Sequence, residues 1–161
     1  MIRGIHHIAL HTPHFDAQIR FYREAFGFER VGEELSWEPS QISDDTIGVK
    51  NSSARLALMK CKNCYIELFE YHSPPPRPGG PAQPNDFGYT HFAVEVTEIE
   101  KEYTRLKALG MTFSADKPTD LGFVKAIYGR DPDGNVIELQ QFPDTDDCAY
   151  GKLACFHGAT P

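Results

Sequence analysis

Apolar positions along this chain follow two periods, and the switch from one to the other occurs twice in the same order. Residues 5–11 alternate as a strand does, with Ile8 and Leu10 on one side and His7, Ala9 and His11 on the other. Residues 15–26, "FDAQIRFYREAF", place Phe15, Ile19, Tyr22 and Phe26 at helical spacing, and Gly27 reads as the stop. "FERVGEEL" (28–35) reads as a strand, and residues 36–53 are polar and irregular, with Trp37 alone among them. "ARLALMKC" (54–61) and "CYIELFEY" (64–71) predict a hairpin. Residues 72–86 are so dense in proline and glycine that neither helix nor sheet interior is open to them, which predicts a linker tolerant of shortening. The order then starts again. "YTHFAVEV" (89–96) is a strand, and residues 97–109 are a helix with Thr97 as N-cap, Glu100 in capping-box register and Gly110 as stop. A short strand follows near "MTFS" (111–114), and "GFVKAIYG" (122–129) and "NVIELQQF" (135–142) form a second hairpin across "RDPDGN".

The two halves share phrases as well as order. "GIHHIAL" (4–10) answers "GYTHFAVEV" (88–96), "EAFGF" (24–28) answers "KALGM" (107–111), and "YIELFEY" (65–71) answers "VIELQQF" (136–142). Each half reads strand, helix, strand, strand, strand, with a histidine in the first strand and a glutamate in the last. This is an internal duplication. The expected boundaries are 1–71 for the first module, 72–87 for the linker, 88–142 for the second module and 143–161 for a C-terminal tail without assignment.

Composition narrows the function classes. The chain has 161 residues and is 40% hydrophobic, enough for one sizeable core or two small ones. A net charge of -7 with scattered Lys and Arg argues against nucleic acid as a partner. No stretch approaches the length of a membrane span, and the N-terminus lacks the long apolar core of a signal peptide, so a cytoplasmic protein is expected. Four cysteines are present. Cys61 and Cys64 flank a two-residue turn, Lys62-Asn63, and read as free thiols, and Cys148 and Cys155 form no matching pair, so a zinc site is not expected.

The strand faces expose the candidate chemistry. His7, Ala9 and His11 share a face, as do His91, Ala93 and Glu95; Glu67 shares one with Tyr65 and Phe69, and Glu138 with Val136 and Gln140. The apolar faces should pack on each half's helix, which turns the histidines and glutamates to the concave side of the sheet. Two imidazoles and two carboxylates among apolar neighbours are costly unless paired. One divalent transition ion (Zn, Ni, Co, Mn or Fe(II)) held by His7, Glu67, His91 and Glu138 satisfies all four, whereas hard all-oxygen ions suit such donors poorly. Singly, each histidine could instead hydrogen-bond within a core; four at matched repeat positions favour the ion. His11 and Glu95 fall farther along the same faces, at a solvated rim. Trp37, in the polar stretch, is placed as a cap over a pocket or a buried edge contact.

These motifs together, "HHIAL…FY…FGF", "YIELFE", "THFAVEV…L…G" and "DPDGNVIELQQF", resemble the vicinal-oxygen-chelate superfamily over residues 3–142. That group holds glyoxalase I, methylmalonyl-CoA epimerase, fosfomycin-resistance enzymes, extradiol dioxygenases and bleomycin-binding proteins. The resemblance implies an α+β fold of two βαβββ modules in one chain, forming a cupped, partly closed mixed sheet around a metal. It puts the family's ligand positions on His7, Glu67, His91 and Glu138. It also implies a small-molecule substrate chelated through two adjacent oxygens, and a homodimer. In glyoxalase I and epimerase-like members the fourth strand supplies a Glu or Gln ligand, here Glu67, while extradiol dioxygenases use two His and one Glu. The expectation is therefore a metal-dependent, glyoxalase-like lyase or isomerase, with Glu67 or Glu138 as the catalytic base. An Fe(II) extradiol-type dioxygenase and a metal-free binding protein are the alternatives. Fosfomycin-resistance enzymes carry a tyrosine ten residues before the last ligand, which is Tyr128 here. With Phe69 and Trp37 it completes the expected substrate-binding set.

Overall fold

A computed structural model of the chain describes residues 2, 4–77 and 79–150. Cys155, with the rest of 151–161, lies outside them. The chain divides into two compact units, residues 1–79 and 80–161.

In the first unit the order is β1 (His7–His11), α1 (Phe15–Phe26), β2 (Glu29–Arg30), β3 (Leu35–Trp37), α2 (Gln41–Ile47), β4 (Ser53–Cys61) and β5 (Cys64–Ser73). The sheet runs β1-β5-β4-β2, with β3 also paired to β4. β1 lies parallel to β5, and the β4–β5 hairpin turns at Lys62-Asn63. The helix side of this sheet is the core: Ile66 and Leu68 of β5 and Ala57 and Met59 of β4 are buried, with Phe15, Phe21, Tyr22 and Ala25 of α1. The buried stripe of α1 is turned from the one the sequence predicts. Gln18, Phe21 and Ala25 are buried while Ile19 and Phe26 are only half-buried, because a helix side chain covers the surface over its preceding turn.

Two expectations fail here. "FERVGEEL" is not one strand: Gly32 sits at φ 71, a left-handed turn that ends β2 and lets the chain re-enter the sheet as β3. The stretch 36–53 is not irregular either, since it holds α2, with Ser40 and Ser43 in a reciprocal cap. None of the residues of α2 is buried, so it has no apolar stripe to betray it. Its Asp44 accepts the backbone N–H groups of Asn51 at 2.9 Å and Ser52 at 3.3 Å, which ties the helix to the start of β4.

The second unit repeats the plan: β6 (His91–Glu95), α3 (Ile99–Ala108), β7 (Thr112–Phe113), β8 (Thr119–Asp120), β9 (Lys125–Arg130) and β10 (Val136–Gln141). Its sheet runs β6-β10-β9-β7, with β8 on β9 and β6 parallel to β10. Ile99, Tyr103 and Leu106 of α3 pack with Ile127, Ile137 and Leu139 as its core. The N-cap is Glu98 rather than Thr97, and no side chain caps the helix there; instead the amide of Gln141 accepts the N–H of Ile99 at 2.9 Å. A tertiary contact thus replaces the local cap that the sequence pattern suggests. Among the described residues each unit carries one open, mixed sheet of five strands. No helix among the described residues is long and apolar enough to cross a membrane.

The proline-rich stretch is not uniform. β5 extends to Ser73, inside the expected linker. Farther on, Arg130 of β9 donates to the Gln83 side chain at 2.8 Å and to the carbonyls of Ala82, at 3.5 Å, and Gly134. Residues 82–83 are therefore tied to the second sheet. Deleting two residues from 74–77 should leave the melting temperature nearly unchanged. Deleting two from 81–84 should lower it by several degrees, since hydrogen bonds to a charged donor contribute roughly 1.5–3 kcal/mol each; thermal unfolding of the two variants checks this.

Candidate metal and substrate site

The parallel strand pairs set the site in both modules with one register. His7 lies opposite Tyr65 and Ala9 opposite Glu67; His91 lies opposite Val136 and Ala93 opposite Glu138. Each glutamate therefore stands one pleat along from the histidine on the same face. His7 Nε2 comes to 3.3 Å from Glu67 Oε2, and His91 Nε2 to 3.5 Å from Glu138 Oε2. The glutamates are partly buried while the imidazoles keep access to solvent.

The preceding residue orients each imidazole. His6 Nδ1 and His7 Nδ1 share a hydrogen bond at 3.0 Å, and His6 stacks on Tyr65 with centroids 4.7 Å apart. In the second module Thr90 Oγ1 and His91 Nδ1 share one at 2.9 Å. Both rings thus have Nδ1 engaged and Nε2 turned to the carboxylate, which is how an outer partner fixes a metal-binding histidine. By strand alternation His6 falls on the opposite face from His7, yet its ring reaches round to hold that of His7. The signal is present in the repeat itself, because a hydrogen-bonding side chain precedes each histidine in "HH" and "TH".

The predicted substrate residues fall into two groups. Tyr128 lies directly opposite Glu138 on β9, its hydroxyl 3.4 Å from His91 Nε2 and its ring edge-on to that imidazole. Burial first, then the Glu138 charge, push the Tyr128 phenol above its ordinary pKa. Beside it a cleft of about 320 Å³ opens among Gln83, Thr112, Ser114, Tyr128 and Arg130. Trp37 and Phe69 belong to the first module, where their rings meet edge-to-face at 6.1 Å. Tyr71, which the sequence reading does not single out, touches both of them. Cys61 and Cys64 take no part: they are free thiols that donate to the carbonyls of Phe26 and Tyr65, and burial raises the pKa of both.

A family model described as the glyoxalase/bleomycin resistance protein/dioxygenase superfamily matches residues 4–139. The chain belongs to this superfamily. Among glyoxalase-superfamily relatives, the 2-epi-5-epi-valiolone epimerase of an Actinomyces species is 26% identical, over 87% of this chain and 80% of its own length. The metallothiol transferase FosB of Staphylococcus haemolyticus is 26% identical, over 98% of this chain and 96% of its own. The crystal structure of a glyoxalase family protein from Bacillus cereus superposes with a TM-score of 0.77, at 20% identity, over 88% of this chain and 95% of that one. The fosfomycin resistance protein FosX of Listeria monocytogenes, in a complex with Mn(II) and sulfate, superposes with a TM-score of 0.58 at 21% identity, over 89% and 95%. These likenesses establish the two-module glyoxalase fold, and enzymes of more than one reaction class stand among the relatives.

Proposed function

We propose that this glyoxalase-superfamily chain is a metal-dependent lyase or isomerase that binds a small molecule through two adjacent oxygens. One divalent transition ion would be held by His7 and Glu67 of a first module and His91 and Glu138 of a second. The observation that most directly supports this is the pair of matched Nε2–Oε2 separations, 3.3 and 3.5 Å. Two donors bound to one ion at about 2.0–2.2 Å, at tetrahedral or octahedral angles, stand about 2.8–3.6 Å apart. Each pair is therefore already spaced as two neighbouring ligands, and the outer hydrogen bonds of His6 and Thr90 keep Nε2 as the available donor. Two imidazoles and two carboxylates suit Mn, Fe, Co, Ni or Zn.

When bound, such an ion supplies Lewis acidity toward the two substrate oxygens. The remaining work falls to side chains. His7 and His91 set the position, and the Tyr128 hydroxyl stands ready to hydrogen-bond an oxygen of the substrate. Glu67 or Glu138 takes a proton from the carbon beside the chelated carbonyl; an isomerase returns it to a neighbouring carbon or the opposite face, whereas a lyase uses the freed electron pair to expel a group from the adjacent carbon.

Each module supplies two of the four donors, so the set is completed within a chain or by a second copy. We favour a homodimer. β1 and β6 are the outer strands of their sheets, and large exposed side chains, Ile2 and Ile5 before β1, and Phe87 and Tyr89 before β6, flank them. An unpaired edge beside exposed apolar groups is a natural site of assembly. The decisive experiment is elemental analysis of protein purified without added metal, with its mass in solution. One transition ion per chain in a dimer is the expected result. A metal-free protein that cannot be loaded with Mn(II), Fe(II) or Zn(II) would return the chain to a binding role, and oxygen uptake with a catechol would move it to dioxygenase chemistry.

A further inference from the structure

The concave faces of the two modules carry the same donors but different surroundings. In the first module, two rows of side chains cross the sheet just beyond Glu67. One row runs Leu35, Leu56, Phe69, His11 across β3, β4, β5 and β1, and the next runs Trp37, Ala54, Tyr71 across β3, β4 and β5. Ala54 is the small residue in the middle. It is only 1% exposed because Trp37 and Tyr71 close over it, their centroids 5.8 Å apart. Phe69 and Tyr71 stack at 5.8 Å, and His11 meets Tyr71 edge-on at 5.4 Å. Four rings thus form one continuous panel on the Glu67 side of the sheet, beginning two residues, or roughly 7 Å, from the His7–Glu67 pair.

The fold does not require this panel. In the second module the register position of the His11–Phe69 pair is filled by Glu95 and Gln140. That end is closed by the backbone N–H of Tyr150, which donates to Glu95 at 2.7 Å. In the first module Trp37, Phe69 and Tyr71 stay half-buried and His11 is exposed, all facing away from the helix-side core of Ile66, Leu68 and Met59. The panel is also held rigid. The Trp37 indole N–H donates to Ser52 Oγ at 3.1 Å, and Ser52, wholly buried, is itself held by Asp44. In the panel's own rows β4 presents only Leu56 and Ala54: Lys60, on the same face, sits farther along beside Tyr65, in the row of His7, and Arg55 lies on the other side, bonded to Glu70 and stacked on Phe15.

We infer that the panel of Trp37, Phe69, Tyr71 and His11 is the seat for a flat, uncharged, unsaturated ring on the substrate, adjoining the pair of oxygens engaged at His7 and Glu67. This rests on the functional reading above and narrows it to substrates that carry an aryl or similar ring next to two vicinal oxygens. Rings seated edge-on or offset against such a panel gain both buried area and quadrupole attraction.

Trp37 is the chain's single tryptophan, so its emission reports on the panel directly. Mandelate and lactate present the same hydroxyl and carboxylate oxygens and differ in phenyl against methyl. Each is titrated against the full-length protein as purified and after saturation with Mn(II), following Trp37 emission and heat. Mandelate should bind about tenfold or more tighter than lactate and alter the emission. Phe69→Ala and Tyr71→Leu should each bring the mandelate-to-lactate ratio close to one while metal content stays as in the parent and each variant still unfolds in one cooperative transition, shifted down by the lost ring contacts; two variants guard against one that folds poorly. Failure of mandelate to bind, equal binding of the two acids, or an unchanged ratio in both variants overturns the proposal, the last two being what a panel already covered by protein would give. The metal reading fails separately: discrimination that persists in a protein unable to hold an ion leaves the panel standing and removes the chelation.

Discussion

His91→Ala should leave a folded chain that no longer holds a transition ion. The imidazole is solvent-accessible and outside both hydrophobic cores, so its removal costs little stability; it takes away one of four donors and leaves Glu138 beside Tyr128 alone. Losing a direct ligand should weaken the ion by at least the roughly 10–100-fold that loss of an outer partner costs, enough to strip the metal during purification. His7→Ala should do the same from the other module. Elemental analysis beside circular dichroism is the measurement, and a full metal complement in both variants would remove the four-donor assignment. The two variants also locate the site when co-expressed with different tags and isolated as a mixed dimer. If each site joins the first module of one copy to the second module of the other, one of the two sites contains both lesions and the other none. The mixed dimer then recovers half the parent's ion. Sites built within single chains would each keep a lesion, and the mixed dimer would stay empty.

Glu67→Gln should separate binding from chemistry. The amide keeps an oxygen for the ion and loses the basic oxygen, and the carboxylate's place on β5 opposite Ala9 and Leu58 leaves room for an isosteric side chain. The metal content should stay within about threefold of the parent's affinity, while proton transfer beside a chelated carbonyl falls by the 10²–10⁴-fold typical of losing a general base. Deuterium entry from D₂O at the carbinol carbon of 2-hydroxyacetophenone reads that step without knowledge of the natural substrate. Glu138→Gln is the control. A loss confined to Glu138→Gln would assign the base to the second module, and no loss in either would withdraw proton abstraction by a glutamate altogether.

Much of this was legible along the chain. The alternation of Ile8 and Leu10 with His7, Ala9 and His11, and of Ile66 and Leu68 with Glu67 and Phe69, announces strands with one apolar and one functional face, because side chains on a strand alternate by geometry alone. The duplicated order made the two modules visible, since a repeated fold must repeat its periodicities. What local pattern could not convey was anything held by a distant partner. The helix at 41–47 has no buried face and is fastened through Asp44 to Asn51 and Ser52, so no periodicity marks it. The start of α3 is capped by Gln141, 42 residues away, rather than by the threonine beside it. The proline-rich stretch reads as slack from composition, yet Arg130 ties its second half to a sheet.

The candidate site divides in the same way. The sequence by itself determined which residue types lie on which faces: a histidine in the first strand and a glutamate in the last strand of each repeat, with aromatic residues beyond Glu67. Only the tertiary structure decided that β1 runs parallel to β5, and β6 to β10, in one register, which sets each imidazole one pleat from its carboxylate at contact distance. It also decided that Trp37 and Tyr71 meet across Ala54, and that His6 and Thr90 fix the rings from behind. The reason is that a strand's own pattern specifies the direction of its side chains, while the partner strand and the register come from pairing across the sheet, where residues far apart in the chain choose one another by the apolar surface they bury together.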